Sequence, residues 1–425
     1  MSKNRSLVVC VAALVLLAAV PAQARIELTM VTHWNTAVTQ GALLQQYIDE
    51  YNSLQDEVHI TLISDPAASG TEKIFLWHTA GTMPDILPVS QVNIPQFVQS
   101  GIISPMPDHI IQVLEENFLP GALQLTSHRG QIWGYPTENM PNAFTYDLID
   151  FNNKGIGDQF PETWEELLAV AQRLTEYDGE GNITRAGFGW NQDFRRNIAM
   201  LMVLTWREGG ELFTDNDTKV HFTSEPVQRA VNFLTEIVHE RNIVRYGGNH
   251  SHSVQAIRWA PGPYVRSSIL AESGPERLAE IRSARLPLSP DGKRTVPNYG
   301  WVIAVPTATP YKEQVHDFLI WLTTDVLPDG TTRMGNVLTL LGSIPNTLTD
   351  IYSQPVLQDP FMAGFVAPMM DNDVRSWPMP PNSNGVFSTM NRAISDILNQ
   401  VDAPMNILTN LQSQVQQLID EAWEQ

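Results

Sequence analysis

The alternation of strand and helix patterns near the start of the sequence constrains the fold more than any other feature. Apolar and polar residues alternate at residues 26–30 and again at 58–62, as in half-buried strands. Apolar residues recur at helical spacing over residues 43–54, and a shorter helical stretch at 71–80 leads to an apolar segment at 86–89. Strand–helix–strand–helix–strand order predicts an α/β fold with a parallel sheet and helices on its faces.

Helix patterns continue to the C-terminus. Thr163 and Glu166 predict a capping box at the start of one helix, and Pro226 suits the first turn of another. Apolar spacing predicts further helices at residues 315–322 and 406–423. Because 425 residues exceed what one hydrophobic core usually holds, we expect two lobes or domains.

Three stretches rich in glycine or proline predict connections between these elements. Residues 177–182 and 187–190 are typical of hairpin ends. Residues 377–381 contain three prolines and predict a rigid loop, because the helical pattern resumes directly after them.

The N-terminus has the pattern of a secretory signal. Lys3 and Arg5 precede an apolar run at residues 7–20, and Ala-Gln-Ala at 22–24 fits a signal-peptidase site. We therefore expect residues 1–24 to be removed near Ala24 and the mature protein to be exported. The only cysteine, Cys10, lies inside this signal, which leaves lipidation there as a weaker alternative. An exported protein without a lipid anchor stays near the cell only if an outer barrier retains it. This favours the periplasm as its location.

Charge and composition exclude several classes of function. Lys and Arg total 26 against 46 Asp and Glu, a net charge of -20, so we expect neither nucleic acid nor an anionic membrane as a partner. A mature chain without cysteine has no thiolate for a metal site or for nucleophilic catalysis.

Motifs for catalysis, metals and cofactors are missing or weak. The sequence has no G-x-S-x-G, H-E-x-x-H, phosphate-loop or dinucleotide-binding pattern, so no catalytic residue, metal ligand or cofactor is predicted. His250 and His252 lack further ligands nearby and indicate a solvated loop. Residues 178–182 begin like a calcium loop but lack its later ligands, so we interpret them as a turn.

Six short segments, spread over most of the mature chain, resemble motifs of family 1 of the extracellular solute-binding proteins, which carry sugars for ABC importers and include maltose-binding protein. The segments occur in the expected order and are G-T-M-P-D at 81–85, G-Q-I-W-G-Y-P-T-E at 130–138, P-E-T-W-E-E-L at 161–167, A-P-G-P-Y at 260–264, N-Y-G-W at 298–301 and F-L-I-W-L-T at 318–323. The sequence departs from the family at 144–147, where a Y-N-K-type strand is common, and at Tyr264, where Trp is usual.

The resemblance implies a type II periplasmic-binding-protein fold. Two α/β lobes, each a mainly parallel sheet flanked by helices, would enclose a ligand cleft. By the family pattern, lobe one holds residues 25–140 and 302–351, and lobe two holds residues 141–301 and 352–425. Hinges would lie near residues 139–142 and 301–304 and near Tyr352.

Candidate ligand-binding residues combine aromatic rings with planar polar groups. The C–H faces of a sugar stack on aromatic rings, and its hydroxyls bond to carboxylates, amides and guanidinium groups. Loop positions, among them the carboxyl end of the first strand, and the family pattern together select the set. It consists of Trp34, Asn35, Glu138, Asn142, Trp190, Asn191, Asp193, Tyr264, Asn298, Tyr299, Trp301, Arg375 and Trp377.

Each candidate also has a purely structural interpretation. A single Trp is often a packing residue, and Arg375 could simply pair with Asp371 or Asp373. Trp164 lies on the apolar face of its helix and is assigned to the core. The strand and helix patterns also assign a packing role to Trp77, Trp206, Trp259, Trp321 and Trp423.

The resemblance implies a binding protein without enzymatic activity. It would capture a sugar, oligosaccharide or polyol in the periplasm and, as a monomer, deliver it to the permease of an ABC transporter by lobe closure. An exported glycoside hydrolase is one alternative, because two carboxylates could meet in space. A solute-binding protein for a polyamine, an iron complex or glycerol phosphate is another, although a phosphate would require more basic cleft residues than Arg375 alone.

Overall fold

The structure is a computed structural model that describes residues 25–189, 193–244 and 251–424. The predicted signal, Trp190, Asn191 and His250 lie outside the described residues. Within the described part, no helix combines the length and the apolar character that a membrane span requires.

The first third of the chain forms the predicted strand–helix alternation and then a group of short elements. Their bounds are β1 Ile26–Thr32, α1 Thr39–Leu54, β2 Val58–Ser64, α2 Thr71–Ala80, β3 Leu87–Ser90, α3 Ile94–Gln99, α4 Asp108–Asn117, α5 Pro120–Leu123, β4 Ser127–His128, β5 Gln131–Ile132 and β6 Tyr135–Pro141. β1 and β2 pair in parallel over seven residues each, and a parallel bridge joins Met30 to Ile86 before β3. The predicted parallel βαβαβ unit is confirmed.

The middle of the chain builds a second α/β unit. Its elements are β7 Ala143–Asp147, α6 Leu148–Asn153, α7 Trp164–Leu174, β8 Glu176–Tyr177, β9 Ile183–Gly189, α8 Phe194–Arg207, β10 Phe213–Thr214, β11 Lys219–Val220, α9 Glu225–Thr235, β12 Gln255–Ala260, α10 Val265–Leu278 and β13 Ile281–Ala284. Five strands form one sheet in the order β13-β7-β12-β9-β8.

The strand directions in this sheet are mixed. β12 and β9 are parallel, whereas β7 is antiparallel to both of its neighbours and β8 is antiparallel to β9. The α/β class is confirmed, but a mainly parallel arrangement does not describe this sheet. β7 follows β6 after one residue, so it enters the sheet in the direction of the preceding strand rather than after a crossover helix.

The last part of the chain crosses back and then ends in helices. Its elements are β14 Val296–Ala304, α11 Lys312–Thr323, α12 Arg333–Leu341, α13 Leu348–Ser353, α14 Ala363–Met370, β15 Val374–Ser376, α15 Ser383–Leu398 and α16 Pro404–Glu424. β14 is buried along its whole length and pairs antiparallel with β3 and with β6, and parallel with β15.

The ladder between β6 and β14, which we call the crossing ladder, contains a β-bulge between Gly300 and Val302. A Cβ atom on Gly300 would lie 2.0 Å from the carbonyl oxygen of Glu138 and 2.4 Å from Cδ1 of Leu125. The close approach of the two backbones therefore requires glycine at this position.

Local predictions at two helix starts are confirmed. Thr163 Oγ1 accepts a hydrogen bond from Glu166 N at 3.2 Å, and the Glu166 carboxylate accepts one from Thr163 N at 3.1 Å. Trp164 follows this capping box and is 1% exposed, so its core assignment is confirmed. Pro226 occupies the first turn of α9.

Two of the turn predictions have different outcomes. The hairpin at residues 177–182 is confirmed, and its Asp178 carboxylate accepts backbone hydrogen bonds from Glu180 and Asn182. The prediction of a hairpin end at 187–190 is wrong for Gly187 and Gly189, because both residues belong to β9. A Cβ atom on Gly187 would lie 1.8 Å from the carbonyl oxygen of Ala171, so this glycine allows β9 to pack against α7.

The prediction that His250 and His252 lie in a solvated loop is wrong for His252. This side chain is buried, and its Nε2 lies 3.0 Å from Thr145 Oγ1 on the neighbouring strand. Burial lowers the pKa of His252 well below its usual value, and Arg258 lowers it further, so the ring is held neutral as a core residue.

A buried histidine near β6 makes the stability of the fold depend on pH. His316 Nδ1 lies 3.0 Å from the hydroxyl of Tyr135, and burial, aided by His109, lowers the pKa of His316 from 6.5 to about 4. Between these pH values the imidazole of His316 binds a proton in the unfolded chain but not in the folded protein. The free energy of unfolding therefore falls as the pH decreases.

We expect His316→Gln to make this decline shallower, because glutamine does not titrate and can still bond to Tyr135. Melting temperatures measured by circular dichroism from about pH 7 to about pH 4 check this. Equal slopes for the two proteins would contradict the assignment.

Candidate functional site

The candidate site begins at the carboxylate of Glu138. It projects from β6, is 3% exposed, and its Oε1 accepts a hydrogen bond of 3.2 Å from Trp34 Nε1. Nε2 of His33 lies 3.2 Å from the same oxygen. Trp34 and His33 directly follow β1, at the carboxyl end of a parallel pair, where open α/β sheets place ligand-binding residues. The crossing ladder and the first sheet therefore meet at this carboxylate.

Aromatic rings extend the site along β14. The ring of His33 stacks on that of Trp301, with centroids 4.2 Å apart and an angle of 27° between planes. Tyr299 lies two residues before Trp301 on the same strand, so both side chains lie on one face of the ladder. The Tyr299 hydroxyl is 2.7 Å from Ser90 Oγ on β3.

Helix α8 brings a positive charge to the same face. The guanidinium of Arg195, in the first turn of α8, lies over the ring of Tyr299 at 4.5 Å from the ring centre. Its Nη1 is 3.8 Å from Sδ of Met140, the residue that pairs with Tyr299 across the ladder. We call this group of largely buried side chains the central cluster, and it consists of His33, Trp34, Glu138, Tyr299, Trp301 and Arg195.

The central cluster offers the two chemistries that a saccharide requires. Indole, phenol and imidazole rings present flat apolar faces, and the carboxylate and the guanidinium can bond to hydroxyl groups. Four predicted residues are brought together here: Trp34, Glu138, Tyr299 and Trp301. Sequence analysis missed His33 and Arg195, although the position of His33 at the end of β1 was the same signal that selected Trp34.

Three predicted amides bond to groups outside this cluster. Asn298 lies on the opposite face of β14 from Tyr299, and its Nδ2 donates to Asn139 Oδ1 at 3.0 Å. The buried Asn142 donates to the carbonyl oxygen of Ala260 at 3.3 Å, and the exposed Asn35 caps a turn by accepting from Ala37 N. The structure therefore does not bring these three amides into the central cluster.

Two further predicted residues lie at helix starts. Asp193 caps α8 through a 3.0 Å hydrogen bond from Arg196 N, and it also forms an ion pair with the Arg196 guanidinium. Tyr264 is half-buried before α10, where a Cβ atom on Gly342 would lie 3.1 Å from the Tyr264 Cα. Tyr264 therefore lies where the start of α10 meets the end of α12. Trp190 and Asn191 lie outside the described residues.

Arg375 and Trp377 line a separate cavity of about 350 Å³. Arg375 pairs with Glu211 at 2.8 Å and lies over the ring of Trp206, 4.9 Å from its centre. The alternative that Arg375 pairs with Asp371 or Asp373 is wrong, because both of these carboxylates form ion pairs with Arg285.

Trp377 is 2% exposed and meets Tyr299 edge-on at 5.3 Å. Trp377 therefore packs against Tyr299 as a buried neighbour of the central cluster. Near this cavity, burial lowers the pKa of His128 to about 4, and Arg129 contributes to the shift.

No group of three or more potential metal-ligating side chains comes together within residues 25–189, 193–244 and 251–424. The histidine and carboxylate side chains of the central cluster are among these residues.

Comparison with known proteins places this geometry in context. Residues 35–326 match the family described as bacterial extracellular solute-binding protein. The chain is 24% identical over 369 residues to the maltotriose-binding protein of Pyrococcus abyssi (strain GE5 / Orsay), a match that covers 84% of this chain and 74% of that protein.

Solved structures share the fold at lower identity. The sugar-binding protein MalE from Xanthomonas citri is similar with a TM-score of 0.79 and 13% identity, covering 94% of this chain and 98% of that one. The cyclic alpha-maltosyl-1,6-maltose binding protein from Arthrobacter globiformis has a TM-score of 0.76 and 18% identity, covering 93% of this chain and 100% of that one. The two-lobed, type II binding-protein fold predicted from the sequence is confirmed by these similarities.

Proposed function

Because the chain belongs to the bacterial extracellular solute-binding protein family, we propose that it captures a sugar, an oligosaccharide or a polyol in the periplasm and delivers it to the permease of an ABC transporter. One observation carries the proposal: the Glu138 carboxylate is fixed by Trp34 beside the stacked pair of His33 and Trp301. A buried acceptor next to flat rings suits a ligand that has both hydroxyl groups and C–H faces. The similarity to a maltotriose-binding protein supports the same ligand class.

Lobe closure around the ligand would couple binding to delivery. We retain the division into residues 25–140 with 302–351 and residues 141–301 with 352–425. On this division His33 and Trp34 come from lobe one and Arg195 and Tyr264 from lobe two. A ligand that touches both lobes binds the closed state more tightly and shifts the population toward it. The permease would recognise the closed, monomeric protein.

The proposed location follows from the family and from the N-terminal sequence. A signal removed near Ala24 would release a mature chain that starts near Arg25. The family is extracellular by its description, which supports export.

Ligand binding without turnover is part of the proposal. Hydrolysis of a glycosidic bond requires two carboxylates that flank it. The central cluster contributes one, Glu138, and that group is already engaged by Trp34 and His33. This arrangement supports binding rather than the exported glycoside hydrolase that the sequence left open.

A thermal-shift screen of the purified protein tests the proposal. We expect one or more of maltotriose, maltose, glucose and sorbitol to raise the melting temperature, because a ligand at 100 times its Kd adds about 2.7 kcal/mol to the stability of the folded state. Tryptophan fluorescence should change on the same titration, since Trp34 and Trp301 lie in the cluster.

Chromatography of the same samples should return the ligand unchanged. The absence of a shift with any saccharide or polyol, or the release of cleaved products, would contradict the proposed function.

A further inference from the structure

Arg195 carries a charge that the described protein does not neutralise. Its guanidinium lies over the ring of Tyr299 and beside the sulfur of Met140, and neither group is an anion. Among the residues that the structure describes, no carboxylate pairs with it. The side chain is half-buried, so water compensates the charge only in part.

Most of the arginines that the structure describes have an oxygen partner. Eleven form ion pairs with carboxylates, among them the adjacent Arg196 with Asp193, Arg207 with Glu165 and Arg333 with Glu50. Others, such as Arg173 and Arg282, donate to backbone carbonyl oxygens. Arg195 has neither kind of partner among the described residues, and its position beside the rings of the candidate site is therefore suited to a negative group supplied from outside the chain.

The surroundings of Arg195 reinforce this positive character. The first turn of α8, a helix of 14 residues, contributes the partial positive charge of a helix N-terminus.

The single carboxylate of the central cluster lies at its other end. Glu138 and Met140 are two residues apart on β6, as are Trp301 and Tyr299 on β14, and each interval is about 7 Å. Glu138 adjoins Trp301 through His33, whereas Met140 and Tyr299 adjoin Arg195. The cluster thus has an acceptor end and a donor end separated by aromatic rings.

We propose that the ligand is an acidic saccharide whose carboxylate or phosphate ester binds to Arg195 while its sugar ring lies on Trp301 and Tyr299. The guanidinium of Arg195 lies with its face over the Tyr299 ring, so its N–H groups point outward in the guanidinium plane. Those that are not directed at the Met140 sulfur can form a forked pair with an oxyanion. The inference rests on the proposed function and specifies its ligand class. Sequence analysis noted that a phosphate ligand would require more basic residues than Arg375 alone, and Arg195 is such a residue.

Matched charged and uncharged probes test the inference. Titration calorimetry would compare trigalacturonate with its methyl ester, and glucose 6-phosphate with glucose, so that each pair differs in the anionic group. We expect at least one acid to bind at least tenfold more tightly than its uncharged counterpart. The first pair reports a carboxylate ligand and the second a phosphate ester. Raising NaCl from about 50 mM to about 500 mM should weaken the acid preferentially.

Two neighbouring substitutions separate the charge effect from folding. Arg195→Gln should weaken binding of the acid by at least tenfold more than binding of the uncharged probe and so abolish the preference, whereas Arg196→Gln, which removes a paired guanidinium, should retain the preference. Circular dichroism would verify that both variants fold.

Equal binding of acid and neutral probes, or an equal loss of both in Arg195→Gln, would overturn the inference and leave the proposed function standing. The same holds if only neutral saccharides bind. If no saccharide of either kind binds, the proposed function fails with it.

Discussion

Trp301→Ala is expected to weaken saccharide binding by roughly 30- to 1,000-fold, which corresponds to about 2–4 kcal/mol for a central aromatic anchor. The substitution removes the ring on which His33 stacks, and with it a flat face beside the imidazole that contacts the Glu138 carboxylate. Titration calorimetry with the saccharide that gives the largest thermal shift measures the loss. Trp301→Phe should retain part of the affinity, because a smaller ring still stacks.

Trp321→Ala is the matched control for this experiment. Trp321 is a half-buried tryptophan on α11 whose ring is covered by the Arg333 guanidinium at 3.9 Å, and it is no part of the central cluster. The control should keep the affinity of the unmodified protein. If Trp301→Ala bound as tightly as that control while remaining folded, the central cluster would not be the binding site.

Gly300→Ala is expected to destabilise the fold by about 1–3 kcal/mol or more, because the added methyl group has no space. Its Cβ atom would lie 2.0 Å from the carbonyl oxygen of Glu138, so the two strands of the crossing ladder would have to separate at the bulge. Urea unfolding followed by circular dichroism gives the free energy. Glu138 would also move, so affinity should fall together with stability.

A glycine in open space provides the comparison for this substitution. No heavy atom lies within 4 Å of a Cβ atom placed on Gly179, in the hairpin before β9, so Gly179→Ala should change stability by less than about 0.5 kcal/mol. A Gly300→Ala protein as stable as the Gly179→Ala protein would show that the ladder is more adaptable than the structure indicates.

The parts of the fold that the sequence predicts well are those set by local pattern. β1, α1, β2, α2 and β3 follow from periodicity within about 65 residues. The capping box of α7 needs only Thr163 and Glu166. By contrast, Gly187 and Gly189 suggested a turn. Their role in β9 depends on contacts that no local pattern contains, with α7 for Gly187 and with Gln255 on β12 for Gly189.

The candidate site was less predictable, because its residues meet from distant parts of the chain. His33 stacks on a residue 268 positions later, and the contact of Arg195 with Tyr299 joins a helix to the crossing ladder. The position of Asn298 relative to the rings could have been predicted from the strand alone. Successive side chains of a strand point to opposite faces, so Asn298 lies on the face of β14 opposite Tyr299 and Trp301.

The crossing ladder also indicates how the proposed lobe closure can be followed. Two strands that share hydrogen bonds resist twisting separately, so we expect the proposed rotation of one lobe against the other to reduce chiefly to one bending angle. A single pair of spin labels, one on α1 and one on α9, would therefore be enough to follow that angle by electron resonance. The chain favours such labelling, since no cysteine occurs after residue 10 and each introduced thiol would be unique.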